Sequence, residues 1–267
     1  MQTLKSIQTA NRIYQTGDSP VLLLCSDMQD YVCKHALNGN AVNLICEYIA
    51  ASFLKVWELS VPDFCFINVN YEHVKQFAIP KHHVDKTCFG SKFNKNFVEL
   101  TWFNDEPGFK KMDVVQEQKL NILKIGLFDI WLANEDRNFN NLNLLLDVSN
   151  GYNLVPIDHG AILNTRLLDP AISVLTETEC VTNTDLMRHL HPKRDFNKMF
   201  ISELKDNFYL CTLKCQQNFD EILNYIPADW TPDLKKVADK IKNQVFSKKW
   251  EDEVFDTFLD YINSPFK

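Results

Sequence analysis

The chain is defined first by what it lacks. No apolar run approaches the roughly 18 residues of a membrane-spanning helix. The longest, such as residues 21–25, are strand-sized. The first 14 residues carry polar side chains at short intervals and have no apolar segment of secretory type. There is no basic excess: 28 Lys and Arg stand against 35 Asp and Glu, a formal charge of -7. A sequence-independent nucleic-acid binder needs clustered cations to displace counterions, so direct nucleic-acid binding is not expected. An acidic total still allows a small basic pocket for phosphates. There is no internal repeat and no low-complexity segment. These absences predict a cytoplasmic protein with no membrane partner. In that compartment the eight cysteines are expected as thiols. Cys25, Cys33, Cys46, Cys65 and Cys88 sit in apolar surroundings, where Cys behaves as a small hydrophobe.

What is present supports a packed core. The chain is 45% hydrophobic and 24% charged, and its 267 residues suit one large domain or two small ones. The front reads as β-rich. Residues 20–25 and 31–36 are apolar runs around a polar break, a hairpin pattern, with an earlier turn at Gly17-Asp18-Ser19-Pro20. From Leu44 to Val56 the apolar residues recur at helical spacing, and that helix should stop before Pro62. Residues 64–69 predict a strand, as do residues around 97–103. A long buried helix is predicted from Met112 to Leu132. Two strands follow, 142–146 and 154–157, joined by an Asn150-Gly151 turn. Helices are expected over 185–191, 196–225, 232–246 and 250–262, with Thr231-Pro232 as a helix start. The sequence therefore predicts an α+β fold in two parts with a joint near 104–111.

The polar segment Asn134-Glu135-Asp136-Arg137-Asn138-Phe139-Asn140-Asn141 lies between a buried helix and a hairpin. Such groups are costly to hold there unless paired or used. The hairpin ends in Ile157-Asp158-His159-Gly160, so its return strand brings Asp158 back beside the 136–143 loop. Phosphoryl transfer needs this set: one carboxylate to orient a hydroxyl and accept its proton, and further oxygens to hold Mg²⁺ against ATP. Asp136, Asn141 and Asp158 supply them, and Gly160 would let the chain turn sharply. The hairpin register leaves two asparagines open. With Asn150-Gly151 at the centre of the turn, Asn143 faces Asp158; with Ser149-Asn150 there, Asn141 does.

Asn134-Glu135-Asp136-Arg137 with Asn141, then Asp158-His159-Gly160, resembles the atypical kinases, including the phosphoinositide kinases. The resemblance is strongest to the HipA-like kinases. It extends to Asp27-Met28-Gln29-Asp30-Tyr31-Val32-Cys33-Lys34, to Glu47-Tyr48-Ile49-Ala50 with Val61-Pro62, to Phe89-Gly90-Ser91-Lys92, and to Ile226-Pro227 through Trp230. It implies a bilobal protein-kinase-like fold, with a β-rich N-terminal lobe over 1–105 and a helical lobe over 106–267. It implies Asp136 as the catalytic aspartate, and Asn141 and Asp158 as Mg²⁺ ligands, with Asn143 as the alternative to Asn141. Lys34 would contact the ATP phosphates and Glu47 would orient Lys34. The turn holding Gly17 and Ser19 would cover the phosphates, although one glycine stands where a Gly-x-Gly-x-x-Gly run is usual. His159 stands where typical protein kinases have Phe, so a phenylalanine flip is not carried over.

The resemblance implies transfer to Ser or Thr of a protein substrate, a toxin or stress-regulator role, and an antitoxin-like partner encoded nearby. A lipid or small-molecule phosphotransferase and a pseudokinase binding module are the alternatives. Retention of Lys34, Asp136, Asn141 and Asp158 speaks against the latter. Other polar groups have plainer readings. Cys211 and Cys215 read as helix packing, His82, His83 and Cys88 as no metal site, and Ser19 as turn chemistry rather than an autophosphorylation site. The cluster of Arg188, His189, His191, Lys193 and Arg194 reads as a solvated face.

Overall fold

The computed structural model describes residues 1–100 and 116–265. The expected joint near 104–111, the 105/106 boundary and the start of the helix at Met112 lie outside the described residues.

Six strands form the N-terminal sheet: β1 (Thr3–Lys5), β2 (Arg12–Ile13), β3 (Val21–Leu24), β4 (Asp30–Lys34), β5 (Phe64–Asn68) and β6 (Cys88–Lys92). Their order is β1-β5-β6-β4-β3-β2. The β1–β5 pair is parallel and the others are antiparallel. β1 and β2 have three and two residues, too short to show a period, and sequence reading did not find them. The central strands β5 and β6 are apolar on both faces because each face meets a core. Val21, Leu23, Cys25, Cys33, Cys65, Ile67 and Cys88 share a small cluster on one side. Phe66 and Phe89 join the main core on the other, against helix α1 (Val42–Val56). All eight cysteines are free thiols and buried, as the composition implied. Burial pushes thiols such as Cys25 and Cys46 up to about 12, which leaves them as packing groups.

A second sheet, β7 (Phe97–Glu99), β8 (Leu144–Asp147) and β9 (Asn153–Pro156), runs in the order β7-β8-β9. Around it pack α2 (Gln116–Leu132), α3 (Asp185–Leu190), α4 (Lys198–Asn224), α5 (Thr231–Lys240) and α6 (Lys248–Asn263). α2 packs on α6, and α1 packs on α4 and α5. Pro232 sits in the first turn of α5, where its missing N–H is harmless. The predicted 232–246 helix is α5 followed by a π-helical turn, Ile241–Val245.

The register of the β8–β9 hairpin corrects the sequence reading. Asp147 pairs with Asn153 and Leu144 with Pro156. The loop is therefore residues 148–152, centred on Asn150, and neither two-residue turn forms. Asn143 lies opposite Ile157, whose amide it accepts at 3.0 Å. Neither candidate asparagine faces Asp158 across the ladder. An Asn-Gly pair favours a two-residue turn only where the flanking residues can close the ladder on it. Here Tyr152, with φ 59°, extends the loop instead.

The sheet and the helices are joined through Trp230, which is fully buried. Its indole N–H donates to the Thr87 carbonyl at 2.7 Å and its ring meets Phe66 edge-on at 5.2 Å. Asp229 accepts the Thr87 amide at 2.5 Å. Trp230→Phe keeps the apolar bulk but leaves that carbonyl without its donor. Urea unfolding should show a loss of about 1–3 kcal/mol with an unchanged m-value.

Candidate active site

The end of β4 delivers Lys34 into the gap between the sheet and the hairpin. Cys33 and Lys34 are both buried there, so the lysine can only remain charged if it is paired. It is paired twice. Its Nζ bonds Glu47 Oε1, presented by α1, and Asp158 Oδ1 at 2.6 Å. The structure thus brings together three residues read from sequence, separated by up to 124 positions. The electrostatics follow from one ammonium serving two carboxylates. Burial lowers the Lys34 pKa, but Asp158 and Glu47 outweigh it and hold the lysine above its usual value. Burial pushes Glu47 up to about 7 against the pull of Lys34, with Asp158 adding to the rise. Burial also raises Asp158, yet the Lys34 charge and hydrogen bond win and keep it below the usual carboxylate value. Asp158 is thus the acid of the two that stays ionised.

The sharp turn at Asp158 is taken by Asp158 itself, with φ 61°. Gly160 has a different reason. A Cβ there would stand 3.1 Å from Glu47 Oε1 and 3.6 Å from Asp18 Oδ2. The glycine admits those carboxylates rather than making the turn. From the turn between β2 and β3, Asp18 is thus the residue that reaches the site. Gly17 is open to solvent on its Cβ side, and the Ser19 amide and hydroxyl bond back to Thr16 at 3.0 and 3.3 Å. Asp18 was not singled out from the sequence, where it reads as turn chemistry.

Asp136 sits in the loop after α2. Asn141 Nδ2 donates to its Oδ1 at 3.1 Å, and Asn143 Nδ2 to its Oδ2 at 3.0 Å. An ionised carboxylate only accepts, so both amides must turn their NH₂ toward it. Their oxygens are then the groups left to meet a cation. Burial raises the Asp136 pKa and the Asp158 charge adds to the rise, while the two amides pull it down. A carboxylate shifted upward is a better proton acceptor. Among the described residues no three His, Cys, Asp or Glu side chains gather to cage a metal. Two carboxylates with amide oxygens match Mg²⁺, which keeps waters and substrate phosphates among its ligands. Asn141 and Asn143 also line a groove of about 670 Å³ with Phe139, Thr184 and Asp185.

Arg137, named in the sequence only as part of the motif, pairs with Asp129 rather than with its neighbour Asp136. It is fully buried. Nε donates to Asp129 Oδ2 at 2.7 Å, and the two Nη groups reach the carbonyls of Leu142, Asn143 and Ile157. Nη2 also donates to His159 Nε2 at 2.8 Å. That bond requires neutral His159. Burial, followed by the Arg137 charge, holds its pKa well below the usual imidazole value. Asn134 closes the set by donating to Asp129 Oδ1 at 2.9 Å. Asp129 was missed in the sequence; its signal is a lone acid inside the apolar stretch Leu127-Phe128-Asp129-Ile130-Trp131. The cluster near α3 serves the fold. Arg194 bonds the carbonyls of Thr182, Tyr261 and Ser264, and His191 that of Lys119.

The β-rich sheet, the helical part and the loop–hairpin site between them define a kinase of the protein-kinase-like class. The chain belongs to the HipA-like kinase family, whose model matches residues 7–256. No curated protein sequence matches it. Among solved structures it is similar to the proinflammatory kinase CtkA of Helicobacter pylori. That match has 12% identity and a TM-score of 0.50, over 96% of this chain and 99% of CtkA. The open conformation of CtTel1 matches at 13% identity over 96% of this chain and 12% of its own, with a TM-score of 0.33.

Arg137→Met removes the only charge partner that Asp129 has in the hydrogen bonds above, and strips donors from three carbonyls. Loss of one member of a buried pair costs about 3–5 kcal/mol. Thermal and urea unfolding should both show that loss. A variant within about 1 kcal/mol of wild type would contradict a structural role for the pair.

Proposed function

We propose that the chain transfers the γ-phosphate of Mg-bound ATP to a Ser or Thr hydroxyl of a protein substrate. The observation that carries this is the convergence of Lys34, Asp158 and Asp136 from β4, the end of β9 and the loop after α2. Lys34, held by Glu47, is the phosphate contact. Asp158 and Asn141 are the Mg²⁺ ligands, with Asn143 as the alternative to Asn141. When bound, the metal shields phosphate charge and bridges nucleotide to protein. Asp136 orients the acceptor hydroxyl and takes its proton, and its raised pKa suits that role. The turn at Gly17 and Ser19 lies over the phosphates. The groove beside Asn141 and Asn143 has room for a polypeptide segment. That room is what favours a protein acceptor in this reading; among the described residues no helix is long and apolar enough to cross a membrane. The proposed lobes are 1–105 and 106–267, with β7 pairing across that division onto β8. The proposal extends to a stress-regulator or toxin role in the cytoplasm with an antitoxin-like partner, supported by the resemblance to HipA-like kinases.

Two variants separate the roles. Asp136→Asn should lower kcat by about 10²–10⁴ while calorimetric Mg-ATP binding persists. Asp158→Ala should lose the Mg²⁺-dependent part of ATP binding. Unaltered Mg-ATP binding in Asp158→Ala would remove it as a ligand. Asn141→Ala should raise the Mg²⁺ requirement more than Asn143→Ala, and the reverse order would exchange their roles.

The acceptor class is read by incubating the protein with labelled ATP and cell lysate, then separating protein from lipid and small molecules. Label confined to the last two fractions would overturn the protein-kinase reading.

A further inference from the structure

The backbone after Gly160 does something unusual. Leu163, Asn164, Thr165 and Arg166 have φ of 61, 49, 56 and 67°, a left-handed helical turn without a single glycine. For L-residues that conformation costs roughly 1–2 kcal/mol each. It persists only where the surroundings over-determine it, and such strain gathers at functional sites.

Several bonds determine it. The Asn164 amide donates to the Ala133 carbonyl at 3.0 Å, which fastens the turn to the start of the Asp136 loop. The Asn164 side chain is a hub. Its Oδ1 accepts the Ser173 amide at 2.8 Å, and its Nδ2 donates to the Ser173 carbonyl at 3.1 Å and to Glu135 Oε1 at 3.0 Å. Thr165 Oγ1 donates to Glu135 Oε2 at 2.5 Å. Both carboxylate oxygens of Glu135, the immediate neighbour of Asp136, are therefore spent on this turn. Beyond it the strand of chain is held down again. Lys240 Nζ donates to the Pro170 carbonyl, the Ile172 amide to Gln244 Oε1 at 2.8 Å, and the Tyr261 hydroxyl to the Leu175 carbonyl at 2.7 Å.

We infer that Glu135 is a positioning residue, which holds Asp136 and the segment 161–175 in working relation through Asn164 and Thr165. The inference rests on the proposed role of Asp136. Switch segments in many kinases are ordered by an added phosphate. Here the fastening is made of unmodified side chains, with an ionised acceptor that strengthens each bond. The segment is thus ordered from the outset, and the strained turn is what brings Asn164 and Thr165 to the Glu135 carboxylate.

The test uses the full chain with Glu135→Ala, Glu135→Gln and Thr165→Val. Displacing Asp136 without touching Lys34 should lower kcat about 100-fold in Glu135→Ala, with the ATP KM changed by less than about 3-fold. Glu135→Gln keeps an acceptor for Asn164 and should recover most of the loss. Thr165→Val, a surface change that leaves the carboxylate in place, should fall between them and serves if Glu135→Ala folds poorly. Amide hydrogen exchange over 162–175 should quicken in Glu135→Ala. A kcat within about 3-fold of wild type, or unchanged exchange over 162–175, overturns the inference. If the wild-type chain transfers no phosphate, the kinase reading fails, and the exchange experiment decides this one alone.

Discussion

The buried Arg137–Asp129 pair is the interaction on which the site depends. One guanidinium joins α2, the loop that follows it, both ends of the β8–β9 hairpin and the ring of His159. Burying two charges is expensive, and an apolar pair of similar volume would serve stability about as well. What the pair adds is registry. The planar fork of Arg137 fixes the carbonyls of Leu142, Asn143 and Ile157 at set distances from α2. Asn143 and Asp158 lie directly beside those carbonyls. Asp136 and Asp158 are thereby set relative to each other before any ligand binds, and preorganisation of this kind is what phosphoryl transfer requires.

The second constraint is the single ammonium of Lys34 between Glu47 and Asp158. It spans the molecule, because the lysine is on the sheet, Glu47 on α1 and Asp158 at the end of the hairpin. Two acids compete for one cation, and burial penalises both. Glu47, the more enclosed, yields by rising toward neutrality, and Asp158 remains charged. The asymmetry gives two carboxylates of the same chemistry different ionisation. Gly160 matters here because a Cβ would stand 3.1 Å from Glu47 Oε1, close enough to push that carboxylate by a few tenths of an ångström.

Much of this was legible in the chain. The α+β division, the helix carrying Glu47 and the hairpin were read from period and turn chemistry; Asp136, Asn141 and Asp158 were candidates from residue type and the resemblance to HipA-like kinases, and the structure places Asn141 in hydrogen-bond contact with Asp136. Asp129 was not, since a lone acid in an apolar helix gives no sign of which distant cation it meets. The hairpin register was not, because Asn-Gly names the turn while closure of the ladder around Tyr152 fixed its length. Glu135 and Asn164 were passed over for a similar reason: their partners lie 29 residues apart, across a left-handed turn that no local propensity predicts.

By itself the sequence determined the α+β division, the longer strands and helices, and the candidate residues for phosphate chemistry, because apolar period, turn residues and ligand type are local properties. Only the tertiary structure decided which carboxylate stays ionised, which asparagine amides turn to Asp136, and why Gly160 and Arg137 stand where they do. Those depend on burial and on distances between groups far apart in the chain, and burial is what converts an ordinary Asp, Glu or Arg into one with a single permitted partner.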